Sequence, residues 1–193
     1  MIKKILITNL MVLSSLSYGR LPVGKTPPPL TLSDHRGGRL DGNPWNSEEL
    51  KGKVHVLVYA DPDEAELNNK ATDALKAKNY PSDNFASVAI INMAATWKPN
   101  FLIEMILKKK QEKFKRTLYL KDYKKVLVNE WSLQDDSSDI LVFDKSGKVV
   151  FSFDGKLDDN QIAQMLKAIE DNLYTAVGEA PTKKEETKQA TKP

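Results

Sequence analysis

Residues 54–60, Val-His-Val-Leu-Val-Tyr-Ala, carry an apolar or aromatic side chain at nearly every position. A strand with one wet face alternates polar and apolar residues; a strand without alternation is covered on both faces. This stretch therefore belongs inside a sheet with packed layers above and below it. Its surroundings reinforce that reading. A helix from Asp63 to Lys78 is expected next, with Leu67, Ala71, Ala74 and Leu75 at helical spacing. Phe85 to Met93 reads as a second buried strand. A second helix over residues 99–115 is expected to turn Leu102, Met105 and Ile106 inward and its basic run outward.

The second half changes character. Thr117–Lys121 and Lys125–Asn129 read as strands around Asp122-Tyr123-Lys124. Ile140–Phe143 and Lys148–Phe153 read as a hairpin around Asp144-Lys145-Ser146-Gly147. A last helix opens at Asp158 or Asp159, with Ile162, Met165, Leu166, Ile169 and Leu173 as one apolar stripe. Ahead of the central strand, Leu21–Pro29 is extended by its prolines. Leu30–Ser33 and Arg39-Leu40 read as short strands around a Gly37-Gly38 turn, and Asn46 or Ser47 caps a helical turn through Leu50. Alternating strands and helices imply parallel pairing, and the late hairpin implies antiparallel pairing. The expected fold class is α/β, a mixed sheet flanked by helices on both faces.

The two ends are of another kind. Lys3 and Lys4, the apolar run Ile5–Leu16 and the small residues of Ser17-Tyr18-Gly19 have the three parts of a secretory signal peptide. Residues 178–193 lack large apolar side chains and are rich in Lys, Glu and Thr, so a disordered tail is expected over 177–193. One folded unit, residues 20–176, lies between them. Without residues 1–19 the chain has 27 basic residues against 26 acids, a net charge of +1. Such a balance points to no polyanionic partner, and no nucleic acid is expected.

The chain has no cysteine. A thiolate is the nucleophile of disulfide exchange and of peroxide reduction, so both reactions are excluded. The remaining polar clusters support little other chemistry. Asp61, Asp63, Glu64 and Glu66 follow the central strand. They are read as a cap and as acids at the positive end of the helix dipole, with a hard-cation site or an acid–base pair as the functional alternative. The spacing matches no calcium loop. His35 and His55 lack partners at motif spacing, no Gly-x-Ser-x-Gly elbow exists, and no Gly-rich loop precedes a helix. No catalytic residue, metal or cofactor is assigned. Lys108–Arg116 reads as a solvated helix face, with weak contact to an anionic surface as the alternative. Trp45, Trp97 and Trp131 are read as core-edge anchors or binding aromatics.

Several segments carry a resemblance. Val23-Gly24-Lys25-Thr26-Pro27 with Leu30-Thr31-Leu32, Leu50-Lys51-Gly52-Lys53-Val54, and Asp144-Lys145-Ser146-Gly147-Lys148 resemble peroxiredoxin and thiol-reductase domains of the thioredoxin superfamily. More closely, Trp45-Asn46-Ser47, Leu50, Gly52-Lys53-Val54, Trp131, Leu133, Ser137-Ser138, Asp154-Gly155 and Leu157 resemble the YtfJ family of exported bacterial proteins. The resemblance covers nearly the whole folded unit. It implies a periplasmic thioredoxin-like domain with peroxiredoxin/thiol-reductase-like topology and no redox cysteines. By that likeness Asp63 and Glu66 fall near the two cysteine positions, and Ser138 falls near the cis-proline that shapes the substrate groove. Trp131 is placed by the same likeness near the Ser137-Ser138 loop. The expected function is a redox-inactive binding or accessory module. Its groove is bounded by Asp61, Asp63, Glu66, Trp131, Ser137 and Ser138, and its partner is an envelope protein or peptide. The alternative is a carboxylate- or metal-dependent enzyme reusing the corner around Asp63 and Glu66.

Overall fold

The computed structural model describes residues 21–175. The expected signal peptide and the tail lie outside the described residues. Strands β1 (Thr31–Leu32), β2 (Gly37–Arg39) and β3 (Trp45–Asn46) precede β4 (Val54–Ala60). Then follow α1 (Asn69–Lys78), β5 (Phe85–Asn92), α2 (Asn100–Lys113), β6 (Thr117–Asp122), α3 (Val126–Trp131), β7 (Ser138–Phe143), β8 (Val149–Asp154) and α4 (Asp159–Leu173). The main sheet has the order β2-β6-β5-β4-β7-β8, and β1 pairs with β3 in a small second sheet. β4 pairs parallel with β5 and antiparallel with β7, while β5 and β6 are parallel. The mixed sheet expected from the alternation of elements is present, with β4 inside it.

The side chains of β4 divide the interior. Leu57 and Tyr59 pack with Leu32, Trp45, Leu50, Val126, Leu127 and Trp131, so the N-terminal segment and α3 cover one face. Val54 and Val56 pack with Ala71 of α1 and with Ile162, Met165, Ile169 and Leu173 of α4 on the other. Ala60 packs with Ile91, Ile103 and Leu107, which brings α2 onto that second face as well. The reason is topological. The chain moves from β4 to β5 to β6 in one direction across the sheet, and right-handed crossovers then put both connecting helices on one side.

The last helix follows its sequence signal closely. The Asp158 carboxylate accepts the Gln161 N–H at 2.8 Å, and the Gln161 side chain accepts the Asp158 N–H at 2.7 Å, a reciprocal capping box. Asn46 and Glu49 make a second capping box at the short helical turn Ser47–Leu50.

Four expectations need correction. The helix expected from Asp63 begins only at Asn69, because residues 61–68 form successive i→i+3 turns. In α2 the buried residues are Ile103 and Leu107, while Leu102, Met105 and Ile106 are 39%, 47% and 53% exposed. The expected strand Lys125–Asn129 is replaced by α3. The Asp122 carboxylate, buried beneath it, accepts the N–H groups of Lys124 (3.0 Å) and Leu127 (3.1 Å), and so satisfies donors at the start of that helix. Finally, Gly37 and Gly38 lie within β2 and not in a turn. They allow close approach: at φ +133° a Cβ on Gly37 would fall 2.0 Å from the Lys121 carbonyl oxygen. Gly37→Ala should therefore lower unfolding stability by about 3 kcal/mol or more, measured by urea denaturation. A change below about 1 kcal/mol would contradict the close packing of β2 on β6.

Candidate functional site

The corner begins where β4 ends. The Asp61 N–H donates to the Ser137 carbonyl at 2.9 Å and ties this end of β4 to the start of β7. The Asp61 carboxylate, itself buried, accepts the Asp63 N–H at 2.7 Å and folds the chain back on itself. This side chain caps a turn and not a helix. The Glu64 and Leu67 N–H groups donate to the carbonyls of Asp61 and Glu64, so the acids do not stand at a helix N-terminus. Removal from water pushes the Asp61 carboxyl up, and the nearby charges of Asp63, Asp136 and Glu64 add to that shift.

Asp63 is exposed but fully engaged. It accepts the Lys98 ammonium and the Thr96 hydroxyl, the latter at 2.7 Å, and these hold its carboxyl below the usual range. Glu66 points its segment elsewhere and borders a cavity described below. The two positions expected to stand for the cysteine pair therefore serve different surroundings. Among the described residues no group of three His, Cys, Asp or Glu side chains could hold a metal ion.

Ser138 begins β7 and is buried, and no cis peptide bond occurs among the described residues. Its neighbour in space is Asn68, a residue with no warning in the sequence. The buried Asn68 carboxamide donates to the Ser138 hydroxyl (3.2 Å), the Ser138 carbonyl (3.3 Å) and the Gly155 carbonyl (3.0 Å), and accepts the Leu157 N–H (3.0 Å). It joins the turn before α1 to β7 and to the approach of α4. The Ser137 hydroxyl donates to Asp154 at 2.6 Å.

Trp131 does not join the groove expected of it. It is 2% exposed, its indole N–H donates to the Pro28 carbonyl at 2.8 Å, and its ring lies 6.1 Å from that of Phe143. It is a core residue on the opposite face from α1. Trp97 is the exposed tryptophan, at 87%, between the two residues that hold Asp63. His55 is buried in β4, which pulls its pKa down, with Nδ1 3.1 Å from the Lys53 carbonyl oxygen.

A second feature lies beside this corner. Between α1 and α2 a cavity of about 520 Å³ opens over the middle of the sheet. Its floor includes Val58, Ala60, Ser87 and Ala89, and its rim includes Lys76, Lys110, Lys113 and Arg116. Val58 is half-buried although β4 lies inside the sheet, which marks where helical cover stops. Part of the basic run Lys108–Arg116 thus borders a concavity. The available signal was the row of small side chains Ala60, Ser87 and Ala89, which point to one face of adjacent strands.

Two measurements check this account. Asn68→Ala leaves buried donors and acceptors of β7 and Leu157 unpaired, and should cost about 2–3 kcal/mol in urea unfolding. Asp61→Asn keeps the acceptor for the Asp63 N–H and removes the buried charge. A carboxyl raised in the folded state binds its proton more tightly there than when unfolded, so it weakens the fold as pH rises through the carboxylate range. Asp61→Asn should therefore be more stable than the parent at pH 7, with the gain vanishing on acidification; a gain that grows in acid contradicts the assignment.

Comparisons with known proteins agree with this architecture. A solved thioredoxin-like superfamily protein superposes with a TM-score of 0.57 at 13% identity, over 78% of this chain and 97% of that one. A protein of Neisseria meningitidis assigned as a thioredoxin gives 0.55 at 18% identity, over 77% and 91%. At these identities the likeness concerns the fold: a thioredoxin-like α/β domain. Among sequence relatives, the uncharacterized protein YtfJ of Escherichia coli (strain K12) is 26% identical over 178 residues, which cover 88% of this chain and 97% of that protein. An uncharacterized protein of Haemophilus influenzae is 34% identical over 130 residues, 65% of this chain and 70% of that protein. The family described as "Bacterial protein of unknown function (YtfJ_HI0045)" matches residues 33–172, which span the sheet from before β2 to the last turn of α4. This thioredoxin-like chain without cysteine belongs to the YtfJ family.

Proposed function

We propose that the protein is an exported, periplasmic, redox-silent binding or accessory module, and that an envelope protein or peptide meets it at the corner of Asp61, Asp63, Glu66, Ser137 and Ser138. The observation that carries this reading is the internal use of the corner's polar groups. Asp61, Asp63, Asn68 and Ser138 all bond to their own chain, where a thiol-based enzyme keeps a free nucleophile. Such a corner offers a fixed shape and not a reactive group.

The accessible part is the loop that carries Trp97 and Lys98. Trp97, in the loop before α2, and Phe101, in the first turn of α2, are both exposed, and aromatic anchors carry much of the binding energy in protein interfaces. Export is supported by the three-part composition of residues 1–19. Among the described residues no helix is long and apolar enough to cross a membrane.

The test has three readings on one tagged full-length protein. Cell fractionation should recover it with the periplasm. The purified protein should leave insulin disulfides and hydrogen peroxide untouched at any concentration. A photo-crosslinking residue at position 97 should yield a discrete adduct that the same residue at position 148, exposed at the far end of the β7–β8 hairpin, does not. Retention in the cytoplasm, thiol-type turnover, or identical adduct patterns at the two positions would each remove a part of the proposal.

A further inference from the structure

We propose that the cavity between α1 and α2 binds a single-chain anionic amphiphile, with its acyl chain over β4 and β5 and its headgroup among Lys76, Lys110, Lys113 and Arg116. The site is distinct from the Trp97 loop and does not depend on export.

The volume, about 520 Å³, lies within the roughly 300–1,000 Å³ typical of small-molecule sites. Its shape follows from the sequence. Val56 and Val58 of β4 stand opposite Ser87 and Ala89 of β5, so one strand contributes short side chains where its neighbour contributes branched ones. α1 starts nine residues after the end of β4, since Asn69 follows the turns of 61–68, and Val58 and Ala89 stay only half-buried. The floor left open is mostly apolar: half-buried Val58 and Ala89 beside Ser87, with Leu75 and Phe114 at the sides and the buried Ala60 and Ile91 closing one end. Water gains nothing from such a floor, whereas a hydrocarbon chain does.

The rim has the opposite character. Lys76 and Lys113, from different helices, bring their ammonium groups to 4.9 and 5.2 Å from the centre of the Phe114 ring. Arg116 is aimed by two neutral acceptors, the Asn79 side chain at 2.6 Å and the Tyr80 carbonyl, so its charge is held in place without being neutralised. Among the described residues no carboxylate lies within ion-pair distance of Lys110, Lys113 or Arg116, and only Lys76 has one, Asp73. Glu66 is the lone acid on the lining. Lys110, Lys113 and Arg116, gathered without a paired carboxylate, repel one another until an anion joins them. An apolar trough with a cationic mouth selects a molecule that is greasy along its length and negative at one end.

Long-chain carboxylates and lysophospholipids share that chemistry. The purified full chain is titrated with dansylundecanoic acid, followed by fluorescence, and the probe is then displaced with palmitate, lysophosphatidylglycerol or uncharged hexadecanol. Saturable binding displaced by either anion, and poorly by hexadecanol, is the expected result. Displacement by palmitate identifies the free acid as source, and displacement by the lysolipid alone identifies the membrane-derived one. Lys110→Glu with Lys113→Glu, both at the surface, should weaken the probe about tenfold or more. Ala89→Leu should abolish binding while unfolding stays cooperative. Absence of saturable binding overturns the proposal. So does equal competition by hexadecanol, or unchanged affinity in the double charge reversal.

Discussion

The pairing of β4 with β5 on one side and β7 on the other is the constraint from which the rest of the molecule follows. Seven residues of β4 are in register with β5, and six with β7, so the strand has no free edge and both its faces must be covered. The single direction of travel from β4 through β5 to β6 then sends α1 and α2 to the same side. With α4 also there, three helices share one face, and the N-terminal segment with α3 closes the other. Three helices do not tile that face evenly. α4 lies with α1 over Val54 and Val56, α2 lies over Ile91, and Val58 packs at the margin of both clusters.

Chain chemistry at the end of β4 enlarges that gap. Pro62 has no N–H to offer, and the Asp61 side chain competes for the Asp63 N–H, so the backbone spends residues 61–68 in turns. The same turns deliver Asn68 to the point where it can bond β7 and the loop before α4. One local preference therefore both locks the corner and uncovers the sheet beside it.

What could be read from residues alone was whatever depends on local patterning. The unalternating run of β4, the stripe and cap of α4, and the late hairpin each carry their own signal, and each is present. The failures share a different cause. In α2, apolar residues surround much of the helix, and periodicity could not say that Ile103 and Leu107 face the sheet while Leu102, Met105 and Ile106 do not. α3 is too short for a period to register, and what starts it is a carboxylate from β6. Gly37 and Gly38 read as a turn because their need for space comes from Lys121, remote in sequence, and from Asn43 across the following loop. At the corner, the missing thiol was legible at once, since it is a fact of composition. Asn68 and the burial of Trp131 were not, because both are decided by partners 70 or more residues away.

A fold can lose its reactive group and keep a rigid surface only if other contacts replace what that group and its surroundings supplied. Here the replacements are hydrogen bonds: Asp61 to the turn, Asn68 to Ser138, Gly155 and Leu157, Ser137 to Asp154. Each pairs a polar atom of the corner within the chain, so these groups are engaged in holding the corner's shape. On the proposed reading, specificity comes from shape and from charge that is not already paired. The described residues place unpaired charge of one sign in quantity around the α1–α2 cavity, where Lys110, Lys113 and Arg116 meet an apolar floor. The bonding of the strand tip to its own chain and the half-covered sheet beside it both involve the same eight residues of turn, 61–68.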